Sequence, residues 1–228
     1  MKFVKLLIDG LKRILAKPVV QKEPITADML LKIVDKFGQG ENLMHIRMCA
    51  MLLVAYAGFF RYDELSNLRL CDVIIFTSHV KFFINKSKND QYREGAWVVV
   101  AASGKETCPV GMLQKYINLA ELDLSAEDFL FKPVLFRKSK QVYQIKKGKL
   151  SYSRCREILH FALKEIQVDP KRYGLHSLRS GGVSAAAALG VPDRLLKKHG
   201  RWKTDVSKDR YVKEELANQL QVSSSLGL

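Results

Sequence analysis

A histidine and an arginine stand three positions apart in the segment HSLRSGG, at His176 and Arg179. A tyrosine–glycine pair precedes this segment and an alanine-rich stretch follows it. Residues three apart on a helix share one face, and the backbone N–H groups at the start of a helix bind anions. The pair therefore predicts a site for an anionic group. The simpler interpretation is an ordinary surface arginine beside a packed histidine.

Three further residues are candidates for the same site. Arg61 follows two phenylalanines directly after an apolar stretch that is typical of a buried helix, where a rigid scaffold could hold a guanidinium steady. Trp202 follows the residues HGR, and Tyr211 comes nine positions later in a polar segment where an aromatic side chain has no core-forming periodicity. The simpler interpretations are an ion pair of Arg61 with Asp63 or Glu64, a packed indole and an exposed tyrosine.

The order of these residues resembles the tyrosine recombinase (phage integrase) family. That family has an arginine in a G-x-x-R-x-x-E-L stretch, a lysine in a β-hairpin, an H-x-x-R motif, a His or Trp position and then a tyrosine. Here GFFRYDELSNL carries Arg61, with Glu64 at the acidic position, and HSLR carries Arg179. Trp202 lies 23 residues after Arg179 and nine before Tyr211, which matches the family's spacing.

The resemblance covers roughly residues 24–215 and implies an α+β, mainly helical fold: the tyrosine recombinase catalytic domain with a small antiparallel β-sheet or hairpin. The segments KSKNDQYREG and LKKHGRW resemble recombinases of eukaryotic mobile elements more than bacterial Xer proteins, and Trp202 in place of histidine resembles Cre-like enzymes. We expect a helix and linker at 1–23, as the remnant of an N-terminal core-binding domain. The catalytic domain is expected at 24–211, and a C-terminal tail helix that can be exchanged between protomers at 212–228.

The resemblance also implies a chemistry. Tyr211 would be the nucleophile that cleaves DNA and forms a 3′-phosphotyrosyl intermediate, without metal or ATP. Arg61 and Arg179 would grip the two non-bridging oxygens, and His176 would either hydrogen-bond one of them or accept the phenolic proton. Trp202 would donate one more hydrogen bond to the phosphate through its indole N–H. No cofactor is implied.

A hairpin lysine would protonate the leaving 5′-hydroxyl. Aligning the hairpin with one group of the family places the catalytic lysine at Lys88, and aligning it with bacterial members places it at Lys86. We favour Lys88. Glu64 would orient one of the arginines and stay off the phosphate. His199 lies near the family's His/Trp position, but the spacing selects Trp202, and His199 is expected at a helix C-terminus, where its charged form is favourable.

Composition agrees with a nucleic-acid partner. Lys and Arg total 38 against 23 Asp and Glu, giving a net charge of +15 that is spread along the chain. A well-packed basic domain suggests a polyanion, and we expect double-stranded DNA. The resemblance implies a homo-tetramer on that DNA, and a monomer when the protein is alone. The alternative is a merely soluble basic surface. A hydrophobic content of 47% provides for a sizeable core.

The four cysteines, Cys49, Cys71, Cys108 and Cys155, are widely spaced and form no C-x-x-C pair. This pattern indicates reduced thiols in an intracellular protein, nuclear if the source is eukaryotic, and no His or Cys pair has the spacing of zinc ligands. Residues 2–16 are predicted to form an amphipathic helix interrupted by charges, and the longest apolar run in the sequence is too short to span a membrane.

Periodicity and turn residues predict the remaining elements. The last helix should carry Tyr211 together with an apolar stripe of Val212, Leu216 and Leu220. Helices are expected at 2–16, from Thr26 as N-cap to about 37, at 42–57, at 63–70, at 109–122, at 152–167, from 176 to Gly190, over 191–200 and from about 205 to about 221. Strands are expected at 72–77, 80–84 and 96–101.

Two other functional classes share these features. A type IB topoisomerase or hairpin-forming resolvase would use the same residues. A domesticated DNA-binding protein without catalysis would not need the nucleophile, and the complete set from Arg61 to Tyr211 argues against that class.

Overall fold

The structure is a computed structural model that describes residues 2–15, 21–85, 95–214 and 216–226. It is a mainly helical α+β fold with small antiparallel sheets, as predicted. The α-helices are α1 Lys2–Leu15, α2 Ala27–Phe37, α3 Leu43–Ala57, α4 Tyr62–Ser66, α5 Pro109–Leu119, α6 Tyr152–Glu165, α7 His176–Ala188, α8 Asp193–Gly200, α9 Asp205–Asp209 and α10 Leu216–Ser224. The strands are β1 Val73–Ile75, β2 His79–Ile84, β3 Ala96–Ala101, β4 Val134–Arg137 and β5 Val142–Ile145, with 3-10 turns at Leu70–Asp72 and Pro170–Arg172.

Helix α3 forms the centre of the domain. Its sequence, LMHIRMCAMLLVAYA, is apolar on nearly every face, and a helix of that kind has to be surrounded by protein. It packs against α2, α5, α6 and α7. Asn42 begins the helix, because its Oδ1 accepts hydrogen bonds from the backbone N–H groups of Met44 and His45 at 3.1 and 3.2 Å. The predicted buried helix is confirmed.

Strands β1, β2 and β3 form one antiparallel sheet in that order. Val80 pairs with Val100 and Phe82 with Val98, so alternate residues of the predicted hairpin are buried against the core. The ring of Phe60, in the turn after α3, meets Phe82 edge-on at 5.5 Å between centroids. The sheet thereby supports the turn that precedes Arg61. Residues 86–94 of the hairpin lie outside the described residues.

A second hairpin, β4–β5, was not predicted from the sequence. Val134 pairs with Ile145, and Val134 is buried while Leu135 and Phe136 on the same strand are exposed. The strands carry no clean alternation of apolar and polar residues, and lysines surround them in the sequence, so the period-2 pattern that marks a half-buried strand is missing.

The single C-terminal helix expected from about 205 to about 221 is wrong. The chain forms α9, leaves the helical conformation at Tyr211 and resumes as α10. The carbonyl of Tyr211 accepts hydrogen bonds from the hydroxyls of Ser180 and Ser184, and the N–H of Lys213 donates to Ser184 Oγ at 2.7 Å. These side-chain bonds replace the backbone ladder, so Tyr211 stands in a turn, and Val212 does not share a helix with Leu216.

The segment 21–25 runs alongside the start of α7. Glu23 N–H donates to the carbonyl of Arg172, and Ile25 N–H donates to the carbonyl of Ser177, each at 3.0 Å. A Cβ at Gly181 would lie 1.9 Å from the carbonyl oxygen of Ile25, so only glycine permits this approach. The chain therefore enters the domain in direct contact with the helix that carries His176 and Arg179.

Candidate active site

A tight turn at the end of α3 positions Arg61. Gly58 closes the helix, and a Cβ there would lie 2.2 Å from the ring of Phe60, so the position requires glycine. Phe59 then adopts a left-handed φ of 48°, and Phe60 N–H returns to the carbonyl of Ala55 at 3.0 Å. Arg61 is thereby fixed as the residue that begins α4, on the wall of an open cavity.

Glu64 is a buried carboxylate that faces three guanidinium groups. Its Oε1 lies 2.7 Å from Arg61 Nη1, and its Oε2 lies 2.7 Å from Arg201 Nη2 and 3.7 Å from Arg179 Nη1. Oε2 also accepts the backbone N–H of Arg61 at 2.9 Å. Burial by itself would raise the pKa of Glu64, but the charge and hydrogen bond of Arg201, with smaller contributions from Arg61 and Arg179, lower it. The carboxylate is therefore ionised.

Arg179 is fully buried behind the cavity. Its Nη1 donates to the carbonyl of Phe59 and its Nη2 to the carbonyl of Gly200. The guanidinium stacks over the ring of Trp202, with Cζ 4.1 Å from the ring centroid. Burial, followed by the like charge of Arg61, lowers the pKa of Arg179 to about 9, so the group keeps its proton at neutral pH.

Arg201 is a site residue that the sequence analysis missed. Its side chain is 6% exposed and forms an ion pair with Glu64. The residue directly follows α8 in a left-handed conformation, with φ of 58°, where glycine or asparagine is usual. Its position between Gly200 and Trp202 gave a signal, since a large cation at a helix end that favours glycine implies a function for the side chain.

Trp202 is buried and packs against the tyrosine. Its ring centroid lies 5.5 Å from that of Tyr211 and 6.2 Å from that of Phe59. A Cβ at Gly200 would lie 1.8 Å from the indole, so glycine is again required. Among the described residues, the indole Nε1 and the Nε atoms of Arg179 and Arg201 are buried donors without an acceptor. The cluster is thus rich in unused donors, as a site for an anion would be.

Tyr211 is half-buried, and its backbone is tied to α7. The Oγ of Ser180 donates to the Tyr211 carbonyl at 2.5 Å, and the Oγ of Ser184 lies 3.4 Å from the same oxygen. The Tyr211 ring lies 6.2 Å from the ring of His176, and the Cζ of Arg179 lies 5.1 Å from it. One helix therefore supplies the imidazole, a guanidinium and two hydroxyls around the tyrosine.

The polar stripe on α7 could have been found from the sequence. His176, Ser180 and Ser184 recur at four-residue steps, so they lie along one face of a helix whose other residues are mainly small or apolar. The sequence analysis used only the first of the three.

His199 lies at the C-terminal end of a helix, as expected, and it is also partly buried. It lies in the last turn of α8, and its Nε2 is 2.8 Å from the carbonyl of Ala57, so this nitrogen carries the ring hydrogen. Its ring also meets Phe59 edge-on at 4.6 Å. Burial lowers the pKa of His199, and the nearby Arg201 and Arg179 lower it further. The predicted position of His199 at a helix C-terminus is confirmed, and the lowered pKa favours the neutral imidazole there.

A cavity of about 1360 Å³ opens beside these residues. Arg61, Glu64, His176 and Tyr211 line it, whereas Arg179 is buried behind it. Trp202 is likewise buried. The structure thus brings six of the predicted site residues into one neighbourhood: Arg61, Glu64, His176, Arg179, Trp202 and Tyr211. Lys86 and Lys88 lie outside the described residues, directly after Asn85, which also lines the cavity.

Within the described ranges, no group of three or more His, Cys, Asp or Glu residues could hold a metal ion. In the same part of the chain, no helix combines the length and apolar character needed to cross a bilayer.

No family model matches the chain. A curated relative, the integrase/recombinase XerD homologue of Selenomonas ruminantium, is 25% identical over 194 residues, which cover 85% of this chain and 54% of the relative. The chain therefore spans about half the length of the curated relative that it matches.

Solved structures show the same fold. The XerH site-specific recombinase in a pre-cleavage complex with difH substrate superposes with a TM-score of 0.64 at 15% identity, over 93% of this chain and 55% of XerH. XerA recombinase gives 0.65 at 16% identity, over 92% and 65% of the two chains. A lambda integrase fragment bound to a COC′ core site gives 0.55 at 17%, over 88% and 62%.

The chain has the fold of a tyrosine recombinase catalytic domain. The predicted fold class and the predicted resemblance to tyrosine recombinases are both confirmed. The closer likeness to recombinases of eukaryotic mobile elements stays a prediction. Within this recombinase fold, the ion pair of Arg201 with Glu64 and the hydroxyls that tether Tyr211 are features that the sequence analysis did not predict.

Proposed function

We propose that the chain is the catalytic domain of a tyrosine-type site-specific DNA recombinase, which cleaves and rejoins DNA strands through a 3′-phosphotyrosyl intermediate. The observation that carries this proposal is the position of Tyr211 at one cavity with Arg61 and His176. A phenol, a fixed cation and an imidazole are the groups that cleavage of a phosphodiester by a protein nucleophile requires. The Xer and integrase relatives support the same activity.

In the proposed step, Tyr211 Oη attacks phosphorus, a Tyr–O–P bond forms, and the bond from phosphorus to the 5′-oxygen breaks. The phenolic proton passes to His176 or to water, unless His176 instead hydrogen-bonds a non-bridging oxygen. The leaving 5′-oxygen takes a proton from the hairpin lysine, Lys88 or Lys86. The phosphotyrosyl ester conserves the energy of the broken bond, so rejoining by a 5′-hydroxyl needs no ATP.

The arginines would stabilise the negative charge that develops on the phosphate. Arg61 lines the cavity and can bind a non-bridging oxygen directly with a fork of N–H donors. Arg179 lies behind the cavity, where both its Nη atoms donate to backbone carbonyls. It would contribute positive potential to the phosphate site and pack against the ring of Trp202. A direct bond from Arg179 or from Trp202 Nε1 to phosphate would require local repacking, because both side chains are buried.

DNA as the partner follows from the charge of the chain. A net charge of +15 favours a polyanion, and several phosphate contacts make the affinity depend steeply on salt. XerH and lambda integrase, which share the fold, were both solved with DNA bound. We expect log Kd to vary linearly with log salt between about 50 and 200 mM, and a flat plot would contradict a phosphate-dominated interface.

A nicked suicide duplex tests the activity. The duplex loses a short strand on cleavage, so a covalent protein–DNA adduct accumulates and is resolved on a denaturing gel. An adduct together with strand exchange between two duplexes establishes a recombinase. Relaxation of supercoils without exchange identifies a type IB topoisomerase, and hairpin-ended products identify a resolvase. Binding without any adduct identifies a DNA-binding protein without catalysis. EDTA is expected to leave the rate unchanged.

The remaining assignments rest on the same proposal. We propose that residues 24–211 form the catalytic domain, that 1–23 are the last helix and linker of a core-binding part, and that 212–228 dock on a neighbouring protomer. A homo-tetramer on two duplexes is the corresponding assembly. We propose that the protein acts on DNA inside the cell, and in the nucleus if the source is eukaryotic.

A further inference from the structure

Arg201 joins the ends of two helices to the buried carboxylate. Its Nη1 donates to the carbonyls of His199 and Gly58 at 2.7 and 3.3 Å, and its Nη2 donates to Phe59 O at 3.0 Å and Glu64 Oε2 at 2.7 Å. These carbonyls belong to the C-terminal ends of α3 and α8, where backbone oxygens lack helical partners and the helix dipole is negative. A buried cation is well matched to that place.

The left-handed backbone conformation at Arg201 indicates that its side chain is required at this position. A non-glycine residue with φ of 58° is strained, and such strain persists where the surroundings over-determine it. Glycine would avoid the strain but would leave a carboxylate and three carbonyls without their donor.

The distances from Glu64 to its three arginines show which guanidinium pairs most closely with each carboxylate oxygen. Three arginines surround this single carboxylate, which leaves two net positive charges in the cluster. Arg201 holds Oε2 at 2.7 Å, and Arg179 approaches the same oxygen only to 3.7 Å. Arg201 and Arg179 also share the carbonyl of Phe59 as an acceptor. If Arg201 were absent, Arg179 would be the nearest donor to take Oε2.

We propose that Arg201 is a positioning residue for the proposed cleavage: it occupies Glu64 Oε2, so that the carboxylate does not draw Arg179 off the Trp202 ring and the Phe59 carbonyl, where its charge supports the phosphate site from behind. The inference rests on the proposed function. It differs from the role of Arg61, because Arg201 does not line the cavity and acts through Glu64.

The charge balance provides a selective test. Arg201→Met lowers the net charge of the cluster by one and frees Oε2, whereas Arg201→Met combined with Glu64→Gln restores the net charge but none of the helix-end contacts. A purely structural role predicts that the second substitution adds further damage. A charge role predicts that Glu64→Gln restores part of the rate lost in Arg201→Met. A double-mutant cycle measures this coupling between the two residues.

We would measure the single-turnover rate of adduct formation on the nicked duplex and, separately, the Kd for DNA. Arg201→Met is expected to slow the adduct by about 10²-fold, as loss of a preorganised charge does, with Kd changed by less than about threefold. Glu64→Gln in that background should recover about tenfold of the rate. Arg201→Lys keeps a cation for Glu64 and is expected to stay within about tenfold of the wild type. Arg194→Met, which removes an exposed cation from α8, is the matched control and should leave the rate unchanged.

A spectroscopic readout separates this inference from the proposed function. The Nε–H resonance of Arg179 in ¹H–¹⁵N spectra should shift in Arg201→Met, as Glu64 captures the guanidinium, and return in the double variant. If the wild type forms no adduct, the proposed function fails, and the resonance alone decides the inference.

Three outcomes would overturn it: a wild-type adduct rate in Arg201→Met, no recovery on adding Glu64→Gln, or equal losses in the Lys and Met variants. If Arg201→Met does not fold, Arg201→Lys carries the test through its rate and its Arg179 resonance. If Arg201→Lys has the wild-type Arg179 resonance but forms the adduct more than about 10²-fold more slowly, the positioning role is contradicted.

Discussion

The hydroxyl of Ser180 donates to the main-chain carbonyl of Tyr211 at 2.5 Å. Ser180 follows Arg179 on α7, so the helix that presents the candidate phosphate-binding groups also holds the backbone of the candidate nucleophile. In-line attack requires the phenolic oxygen to be held within a narrow range of positions, and this bond restricts the turn that carries it.

We expect Ser180→Ala to slow adduct formation about tenfold, because it loses one buried hydrogen bond and the orientation that the bond provides. DNA affinity should change by less than about twofold, because the hydroxyl has no part in the basic surface. Single-turnover rates and Kd values on the same duplex provide the check. Ser153→Ala, at an exposed position of α6, is the control. A Kd that weakens as much as the rate falls would count against a positioning role.

Tyr211→Phe should bind DNA normally and form no covalent adduct, since only the phenolic oxygen is lost. Denaturing gels of the nicked duplex give the result. The structure also supplies the next candidate: Tyr152 is exposed and lines the same cavity, whereas Tyr173 is buried, with its hydroxyl 3.2 Å from Glu23. An adduct that persists in Tyr211→Phe and disappears on adding Tyr152→Phe would reassign the nucleophile.

The lysine that protonates the leaving oxygen can be identified by substrate chemistry. DNA with sulfur in place of the 5′-bridging oxygen has a leaving group that needs no proton. We expect Lys88→Ala to be slow on ordinary DNA and close to the wild-type rate on the sulfur-substituted duplex. Lys86→Ala is the matched variant. If the sulfur-substituted duplex rescues Lys86→Ala and not Lys88→Ala, the proton donor is Lys86.

The stability of the fold should depend on pH through His199. Burial lowers the pKa of this imidazole in the folded state below its ordinary value of 6.5. The unfolded chain therefore takes up the proton first, so the stabilisation is complete above pH 6.5 and is lost as the pH falls below that value. The loss is at most about 1.4 kcal/mol per pH unit for this one group.

His199→Gln retains a donor for the carbonyl of Ala57 but cannot titrate. Urea unfolding at pH 7.5 and 5.0 should therefore show a smaller pH dependence of the free energy of unfolding in the variant than in the wild type. Equal pH dependence in the two proteins would show that His199 titrates normally in the fold.

The C-terminal helix is expected to act between protomers. Leu216 and Leu220 on α10 are 69% and 54% exposed, so they do not pack on the domain that carries them. Truncation after Ala217 should leave DNA binding nearly intact and abolish exchange between two duplexes. Light scattering of the protein–DNA complex, together with a recombination assay, measures both. A truncated protein that still forms tetramers and recombines would limit α10 to a local role.

Local sequence predicted the elements whose signals are local. Helix α2 begins at Thr26, whose Oγ1 accepts the N–H of Met29 at 3.2 Å, and the apolar run of α3 ends at Gly58. The β2–β3 pair followed from two runs rich in β-branched and aromatic residues that a polar segment joins. In each case the residues themselves supply the cap or the periodicity, so no knowledge of distant parts of the chain was needed.

The features that escaped prediction depend on residues far apart in the sequence. The break at Tyr211 is caused by hydroxyls on α7, and no proline or glycine marks it. Arg201 and Glu64 are 137 positions apart, and their ion pair forms only because α3 and α8 end at the same place. The arginine order predicted the candidate site, but its counterion network could be seen only in three dimensions.

The segment 21–25 has a mechanical consequence. Gln21 accepts a hydrogen bond from the Nζ of Lys213, two residues after Tyr211, and Ile25 is bonded to Ser177, next to His176. A force on the chain ahead of residue 21 would therefore be transmitted to the phenol and to the imidazole at the same time. Tension in this segment would act on the backbone beside Tyr211 and beside His176 together.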